Sequence, residues 1–186
     1  LAFLTMELVQ GVTLDRVRKG CSQGLPWHEL QPLALQLLDA LACSHRQGIL
    51  HGDVKPANIM LGEQGLRLFD FGLGYAEAQE AAGLPGLSRG RLNAWTPAYA
   101  APELMAGGAL STRTDLYGAA CVLYDLAQGQ RLGGRQLDQQ LPRPLRLPRH
   151  CWPALRSALA ADPEQRNVSI AELREALAGP RRRWFL

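Results

Sequence analysis

The chain has 186 residues, 47% hydrophobic residues and a formal net charge of +3 at pH 7. An apolar fraction this high excludes a disordered chain, and the length suits one domain or a large piece of one. The charge is small and the arginines are scattered, with one cluster at 181–183. A nucleic-acid-binding protein would concentrate basic residues on one surface, so we expect no nucleic-acid partner.

The spacing of the cysteines and the length of the apolar runs limit the kinds of protein that this chain could be. Cys21, Cys43, Cys121 and Cys151 lie far apart, without a C-x-x-C pair, which argues against a zinc site or a disulfide framework. Cys43 and Cys121 fall in apolar helical patterns, where a reduced cysteine packs as a small hydrophobe. We therefore expect a reducing, cytoplasmic location. No apolar run reaches the ~20 residues of a membrane span.

The first third of the chain predicts a strand and two helices. Residues 1–9, LAFLTMELV, form an apolar run of strand length that Gly11 is expected to end. A short helix is predicted from Thr13 to Lys19. Between Trp27 and Gln47 leucines and alanines recur at helical spacing, which predicts a long helix with a wide buried face.

A β-hairpin is predicted next. NIML at 58–61 and LRLF at 66–69 read as two strands around the turn GEQG, and Asp70 follows the second strand. Residues 72–100 are rich in Gly, Ala and Pro without periodicity. A loop of this length inside a compact domain is usually functional or disordered.

The second half predicts three helices. The stretch from Ser111 to Gln128 is apolar almost all round, as in a helix buried at the centre of a domain, and Gly129 supplies a stop. A helix is expected near 153–161. The last helix begins at Ser169, where Glu172 completes a capping box. The predicted fold class is α+β, mostly helical with a small β-hairpin.

Four polar side chains cluster around the hairpin in sequence. Asp53, Lys55 and Asn58 lie within HGDVKPANIM at 51–60, and Asp70 follows the hairpin. Two carboxylates, an amine and an amide suit magnesium-assisted phosphoryl transfer, which requires hard oxygen ligands, a cation and a base near the nucleophile.

Three motifs occur in order along the chain. HGDVKPAN at 51–58 resembles H-R-D-x-x-x-x-N, residues 70–72 are D-F-G, and TPAYAAPE at 96–103 ends in A-P-E. The chain therefore resembles the eukaryotic-like serine/threonine protein kinases of bacterial type over essentially its whole length. The resemblance implies a protein-kinase-like fold, principally its helical C-terminal lobe.

The resemblance also implies a domain organisation. Residues 1–12 would be the last strand of the N-terminal lobe and the hinge. Residues 13–180 would be the C-terminal lobe, with the catalytic loop at 51–58 and the activation segment at 70–103. The basic tail at 181–186 suits a frayed helix end. A second interpretation is the cytoplasmic edge of a membrane anchor beyond residue 186.

Catalytic roles follow from the resemblance. Asp53 would accept or orient the proton of the attacking hydroxyl, and Lys55 would offset charge on the transferring phosphoryl group. Asn58 and Asp70 would bind Mg²⁺. Thr96 would contact both the catalytic acid and the lysine, which indicates serine or threonine as the acceptor in a protein substrate.

Binding and structural roles are implied as well. Met6 would be the gatekeeper, Glu7 and Val9 would offer backbone groups to the adenine of ATP, Thr13 would lie near the ribose, and Met60 would lie under the adenine. His51 and Phe71 would pack in the core, Asp115 would hold the catalytic-loop backbone, and Arg166 would pair with Glu103. We expect surface or loop positions for the remaining histidines, which are His28, His45 and His150.

The sequence departs from the family pattern in three places. Gly52 replaces the arginine of H-R-D, which removes the cation that a phosphate on the activation segment would engage. This predicts weaker dependence on such phosphorylation, for example at Ser88. Trp95 stands where glycine is usual. The glycine-rich loop and the ATP-anchoring lysine match no segment, so we expect little activity from residues 1–186 alone.

A non-catalytic alternative stays open. A pseudokinase would use the same fold to bind partner proteins, and Gly52 and Trp95 leave room for it. Singly, Asp53 could cap backbone amides, Asp70 could form an Asx-turn and Lys55 could be a solvated charge. The enzyme interpretation requires Asp53 and Asp70 to face one another across a cleft.

Overall fold

A computed structural model of the chain describes residues 8–71, 97–130, 132 and 141–179. Several predictions concern residues outside this range. They include residues 1–7 of the strand predicted over 1–9, the gatekeeper Met6, Glu7, Ser88, Trp95, Thr96 and the tail at 181–186.

A small antiparallel sheet contains three strands, β1 (Gly11–Thr13), β2 (Ile59–Gly62) and β3 (Gly65–Leu68), in the order β1-β2-β3. The predicted hairpin is confirmed, with Ile59 opposite Leu68 and Gly62 opposite Gly65. β1 corrects the prediction that Gly11 ends a strand. A Cβ on Gly11 would lie 2.3 Å from the Leu61 carbonyl oxygen, so glycine admits the neighbouring strand here.

Two helices follow the first strand and confirm their predictions. α1 (Leu14–Gly20) begins after Thr13, whose side chain accepts a hydrogen bond from the Arg16 amide at 3.4 Å. α2 (Trp27–Arg46) buries one face, made of Leu30, Leu33, Ala34, Leu37, Leu38 and Leu41. Cys43 is exposed, so its predicted core position is wrong, because it lies off this buried face.

The centre of the described part of the chain is a helix that is buried on every side. A short helix, α3 (Pro102–Met105), which the sequence did not predict, precedes α4 (Thr112–Gln128). Every residue of α4 from Thr114 to Ala127 is buried. The helix begins in a capping box at Ser111 and ends at Gly129, whose φ is 76°. The predicted central helix and its stop are therefore confirmed.

Two more α-helices follow in the described residues, α5 (Trp152–Ala158) and α6 (Ile170–Ala178). The predicted capping box of Ser169 and Glu172 starts α6. α6 packs on α2, where Arg174 forms an exposed bidentate pair with Asp39. The α+β fold class is confirmed. Within the described ranges, no helix combines the length and apolar character needed to cross a bilayer.

A buried ion pair fastens α3 to the turn before α6, as the sequence predicted. The guanidinium of Arg166 donates to both carboxylate oxygens of Glu103, at 2.5 and 2.8 Å. Arg166 is 2% exposed and lies 4.7 Å above the ring of Tyr117. Three backbone carbonyls also accept from this guanidinium, at Arg113, Ala160 and Ala161.

We predict that Arg166→Gln lowers the free energy of unfolding by about 3 kcal/mol, because it breaks a buried pair and leaves acceptors unsatisfied. The matched control is Arg174→Gln, which removes the bidentate pair with Asp39 where the arginine side chain is 39% exposed. Exposed pairs contribute less than about 1 kcal/mol. Urea unfolding measures both values, and equal losses would contradict the assigned burial.

Candidate functional site

The carboxylate of Asp115, in the first turn of α4, fixes the backbone at His51 and Gly52, in the predicted catalytic loop. Its Oδ2 accepts a hydrogen bond from the His51 amide at 2.8 Å, and its Oδ1 accepts one from the Gly52 amide at 2.8 Å. Asp115 is 1% exposed. The positive end of the helix dipole stabilises a carboxylate at this position. The predicted contact between Asp115 and the loop is confirmed.

His45 is a third partner of Asp115 that sequence reasoning missed. Its Nε2 lies 2.7 Å from Asp115 Oδ2, and its side chain is 11% exposed. The predicted surface or loop position is therefore wrong, because the end of α2 packs beside the start of α4. His28 and His150 are exposed as predicted.

Gly52 adopts a backbone conformation that suits glycine. Its φ is 79°, in the left-handed region that residues with a Cβ enter only at a cost. Its amide is at the same time bound to Asp115. The glycine in place of the H-R-D arginine therefore relieves backbone strain at the residue before Asp53.

The side chains of Lys55 and Asn58 meet on one oxygen of Asp53. Lys55 Nζ lies 2.5 Å from Asp53 Oδ2, and Asn58 Nδ2 donates to the same oxygen at 3.2 Å and to the Asp53 carbonyl at 3.0 Å. Lys55 and Asp53 are 17% and 18% exposed, so Lys55 is not simply a solvated surface charge. Among the described residues, Asp53 Oδ1 has no hydrogen-bond partner.

The amide of Asn58 is oriented by its two acceptors. Both lie on the Nδ2 side, so Oδ1 faces away from Asp53 as an acceptor. Asn58 ends the single turn of 3-10 helix at Pro56–Asn58 and is 5% exposed. A buried amide held in this way offers one hard oxygen ligand in a fixed direction.

Asp70 is placed by the end of the hairpin. The Phe69 amide donates to the Asn58 carbonyl at 3.1 Å, which carries the β2–β3 pairing one step past Ile59 and Leu68. Asp70 is exposed and has a φ of 65°. No other non-glycine residue in the described ranges has a positive φ. Such strain is found mainly at functional sites.

The ring of His51 connects Asp53 to the residues around Asp70. Its Nδ1 accepts the Asp53 amide at 3.1 Å, so Nε2 carries the proton that it donates to the Phe69 carbonyl at 3.1 Å. Phe71 packs on the ring at 4.5 Å, as predicted, and His51 is fully buried.

Burial lowers the pKa of His51, while the carboxylates of Asp115, Asp53 and Asp70 oppose this shift. The ring accepts from the Asp53 amide and donates to the carbonyl of Phe69, the residue before Asp70, so it joins the backbone beside both acids. Because burial dominates, the ring is neutral in the folded chain, which matches its one donor and one acceptor.

The structure describes three of the residues that are predicted to bind the nucleotide. Thr13 pairs with Met60 in the ladder between β1 and β2. Val9 lies beside the same sheet, since a Cβ added to Gly62 would be 3.3 Å from its Cγ1. The structure thus brings Val9, Thr13 and Met60 to one small sheet. Met6, Glu7 and Thr96 lie outside the described residues.

Few side chains of the described residues are grouped so that they could bind a metal ion together. No group of three His, Cys, Asp or Glu side chains in these ranges could hold a metal ion. Asn58 precedes β2 and Asp70 follows β3, so both oxygen donors lie at the open end of the hairpin. This donor set fits Mg²⁺, which takes one or two protein ligands and completes its shell with phosphate and water.

Residues 2–173 match the family described as "Protein kinase domain". The serine/threonine-protein kinase PkaA of Streptomyces coelicolor is 34% identical over 179 residues, which cover 89% of this chain and 32% of that protein. The probable serine/threonine-protein kinase PknB of Bifidobacterium longum is 39% identical over 131 residues, covering 70% of this chain and 18% of that protein. The chain thus spans a third or less of these curated relatives.

A solved structure is similar as well. The kinase domain of PknI from Mycobacterium tuberculosis matches with a TM-score of 0.68 and 27% identity, over 93% of this chain and 64% of that chain.

We predict that His51 makes the fold sensitive to mild acid. Its pKa is lowered in the folded state, so the contribution to stability is complete above the unfolded pKa of about 6.5. It is lost as the pH falls below that value, because only the unfolded chain then takes up the proton. We would measure the free energy of unfolding in urea at pH 7.5 and 5.5. Between these pH values His51→Phe should lose less of this free energy than the native chain, by at most about 1.4 kcal/mol per pH unit.

His28→Phe is the control for this measurement, because His28 is exposed and its removal should leave the native pH dependence intact. Equal pH dependence in His51→Phe and the native chain would show that the His51 ring is not held neutral by burial.

Proposed function

Because the chain belongs to the protein kinase domain family, we propose that its protein transfers the γ-phosphoryl group of ATP to serine or threonine hydroxyls of protein substrates. The observation that carries the proposal is the contact of Lys55 and Asn58 with one oxygen of Asp53. That contact directs the second oxygen of Asp53 away from both side chains. The relatives that bear the name serine/threonine-protein kinase support the same activity.

The proposed reaction uses Asp53 as the base. The substrate hydroxyl oxygen bonds to the γ-phosphorus, the bond from that phosphorus to the β,γ-bridging oxygen breaks, and ADP leaves. Oδ1 of Asp53 orients or accepts the hydroxyl proton. Lys55, held by Oδ2 of the same carboxylate, offsets charge on the transferring group. Thr96 would bridge these two residues and favour aliphatic over phenolic hydroxyls.

Two residues are proposed to hold Mg²⁺, which when bound would neutralise charge on the phosphates. Asn58 would use the Oδ1 that its bonds to Asp53 leave free, and Asp70 would use its carboxylate. The left-handed backbone of Asp70 sets the direction of that side chain. The two residues lie near each other because Phe69, the residue before Asp70, donates a hydrogen bond to the Asn58 carbonyl.

The proposed nucleotide site lies on the small sheet. Met60 would lie under the adenine, with Thr13 near the ribose, and both belong to one pair of the ladder. Val9 and Glu7 would offer backbone groups to the adenine, with Met6 as gatekeeper. ATP and protein substrate are the partners that this arrangement implies, and nucleic acid is not among them.

We also propose that the protein is cytoplasmic, either free in the cytosol or held at the cytoplasmic face of the membrane by an anchor beyond residue 186. The free cysteines of the described residues and the use of ATP support a reducing compartment. Separation of a cell lysate into membrane and soluble fractions tests this, because a protein found outside the cytoplasmic membrane and cytosol would contradict it.

Asp53→Asn should slow phosphoryl transfer strongly while leaving ATP binding intact. In the full-length protein, with dephosphorylated casein as acceptor, we expect kcat to fall about 10²–10⁴-fold and the Kd for ATP to change less than about threefold. Asp39→Asn, an exposed acid on α2, is the matched control and should retain activity. Phosphorylation by Asp53→Asn at close to the native rate would contradict the proposal, and ATP binding without any transfer by the native protein would favour the pseudokinase.

Gly52 generates a separate prediction about regulation. Without an arginine before Asp53, the loop has no cation there to pair with a phosphate, and Asp115 already fixes the backbone of His51 and Gly52. We expect phosphatase treatment, or Ser88→Ala, to change kcat by less than about twofold, well below the effect of a charge-assisted contact. A loss of tenfold or more would show that the activation segment does require a phosphate.

A further inference from the structure

A turn at residues 144–147 presents a leucine to solvent. The Leu147 amide donates to the Pro144 carbonyl at 3.1 Å, and the guanidinium of Arg143 donates to the carbonyls of both residues. Pro144 and Leu147 are buried, so the turn is fixed at both ends. Leu145 lies at its tip and is 91% exposed. A single exposed leucine is common on protein surfaces, so its surroundings decide what it can bind.

Basic residues surround this leucine. Residues 141–161 contain four arginines, one histidine and no aspartate or glutamate. α2 and α6, whose ends meet beside this segment, add two exposed acids, Glu29 and Glu175, so the arginines outnumber the acids. Four exposed residues form what we call the basic patch, which are Leu145, Arg146, Arg149 and His150.

The end of α6 lies beside the basic patch. A Cβ added to Gly179 would lie 3.5 Å from Nε2 of His150. The side-chain amide of Gln31, near the start of α2, fixes this end by donating to the Leu177 carbonyl at 2.9 Å. After Pro180 the sequence consists of three arginines, a tryptophan, a phenylalanine and a leucine, at 181–186. The sequence thus continues from the patch with more residues of the same two kinds, basic and apolar.

The basic patch and the catalytic loop lie at opposite ends of α4. Arg146 donates to the Gly24 carbonyl at 2.8 Å, and the next amide, of Leu25, donates to the carbonyl of Leu126 near the end of α4 at 2.7 Å. α4 begins at its other end, where Asp115 binds the catalytic loop. Its 17 residues extend over roughly 25 Å. A partner bound to the patch would therefore leave the proposed active site open.

We propose that the basic patch binds the surface of a membrane that contains anionic lipids. The arginines would pair with lipid phosphates, to which a guanidinium can donate two parallel hydrogen bonds. Leu145 would enter the boundary between the headgroups and the acyl chains. An acidic protein would complement only the charge of the patch, whereas an anionic membrane complements both the charge and the exposed leucine. This binding depends neither on the proposed kinase function nor on an anchor beyond residue 186.

Amide hydrogen exchange in the presence of lipid vesicles tests the proposal. The full-length protein is compared with vesicles of phosphatidylcholine alone and with vesicles of equal parts phosphatidylcholine and phosphatidylglycerol. Only the headgroup charge differs, so the comparison holds with or without a membrane anchor. We expect the anionic vesicles to slow exchange at residues 143–151 about tenfold or more, without a change at residues 51–60. Salt at about 0.5 M should remove this protection, because it screens exposed charges.

Arg149 and Arg46 are a matched pair of exposed arginines, of which Arg46 lies at the end of α2 that packs beside the start of α4. Arg149→Gln should reduce the protection of residues 143–151 about fivefold, the contribution of one arginine near an anionic membrane. Arg149→Lys keeps the charge and should retain most of the protection. Arg46→Gln should behave as the native protein.

The exposed leucine is tested separately from the charge. Leu145→Ser should weaken the protection severalfold, because the leucine then no longer buries apolar surface in the lipid. Ile49→Ser is the matched control, since Ile49 is also exposed, at 44%, and follows the far end of α2. Poly-glutamate in place of vesicles supplies negative charge without an apolar layer, so it should protect residues 143–151 less than the anionic vesicles do.

Two results would overturn the proposal. Equal exchange of residues 143–151 with both kinds of vesicle would show that the patch does not recognise anionic lipid. Protection by poly-glutamate as strong as that by anionic vesicles, with no effect of Leu145→Ser, would assign the patch to an acidic protein partner instead. None of these measurements involves phosphoryl transfer, so the membrane contact and the kinase function can fail separately.

Discussion

The buried carboxylate of Asp115 is the contact on which the rest of the site depends. It lies at the start of the most buried helix, where the helix dipole favours a negative charge, and it accepts two consecutive backbone amides. Two amides on one carboxylate fix the direction of the chain at His51 and Gly52, so the residues that follow have a defined starting point. Gly52 makes this possible without strain, because its φ is positive.

The polar groups around Asp53 form one connected arrangement rather than a set of separate contacts. Lys55 and Asn58 occupy one oxygen of Asp53, and the neutral ring of His51 joins the Asp53 amide to the Phe69 carbonyl. The hairpin then delivers Asp70 next to Asn58. A change in the protonation of His51 would therefore alter both sides of the proposed phosphate site at once.

The sequence predicts those parts of the fold that local pattern determines. α2, α4, the hairpin and the capping box at Ser169 follow from periodicity and turn chemistry, and the motif spacing singles out Asp53, Lys55, Asn58 and Asp70. β1 was missed because a three-residue strand forms only by pairing with β2, far along the chain. His45 was missed for the same reason, since its buried polar contact with Asp115 joins distant segments and leaves no local signal.

Amide hydrogen exchange at His51 and Gly52 tests the central claim most directly, because these amides bind a carboxylate instead of a secondary-structure partner. If Asp115 holds the loop as described, both amides exchange only through global unfolding, as slowly as those at the centre of α4. Exchange of His51 and Gly52 at the rate of exposed loop amides would show that the catalytic loop opens independently of the helix, and would contradict the account.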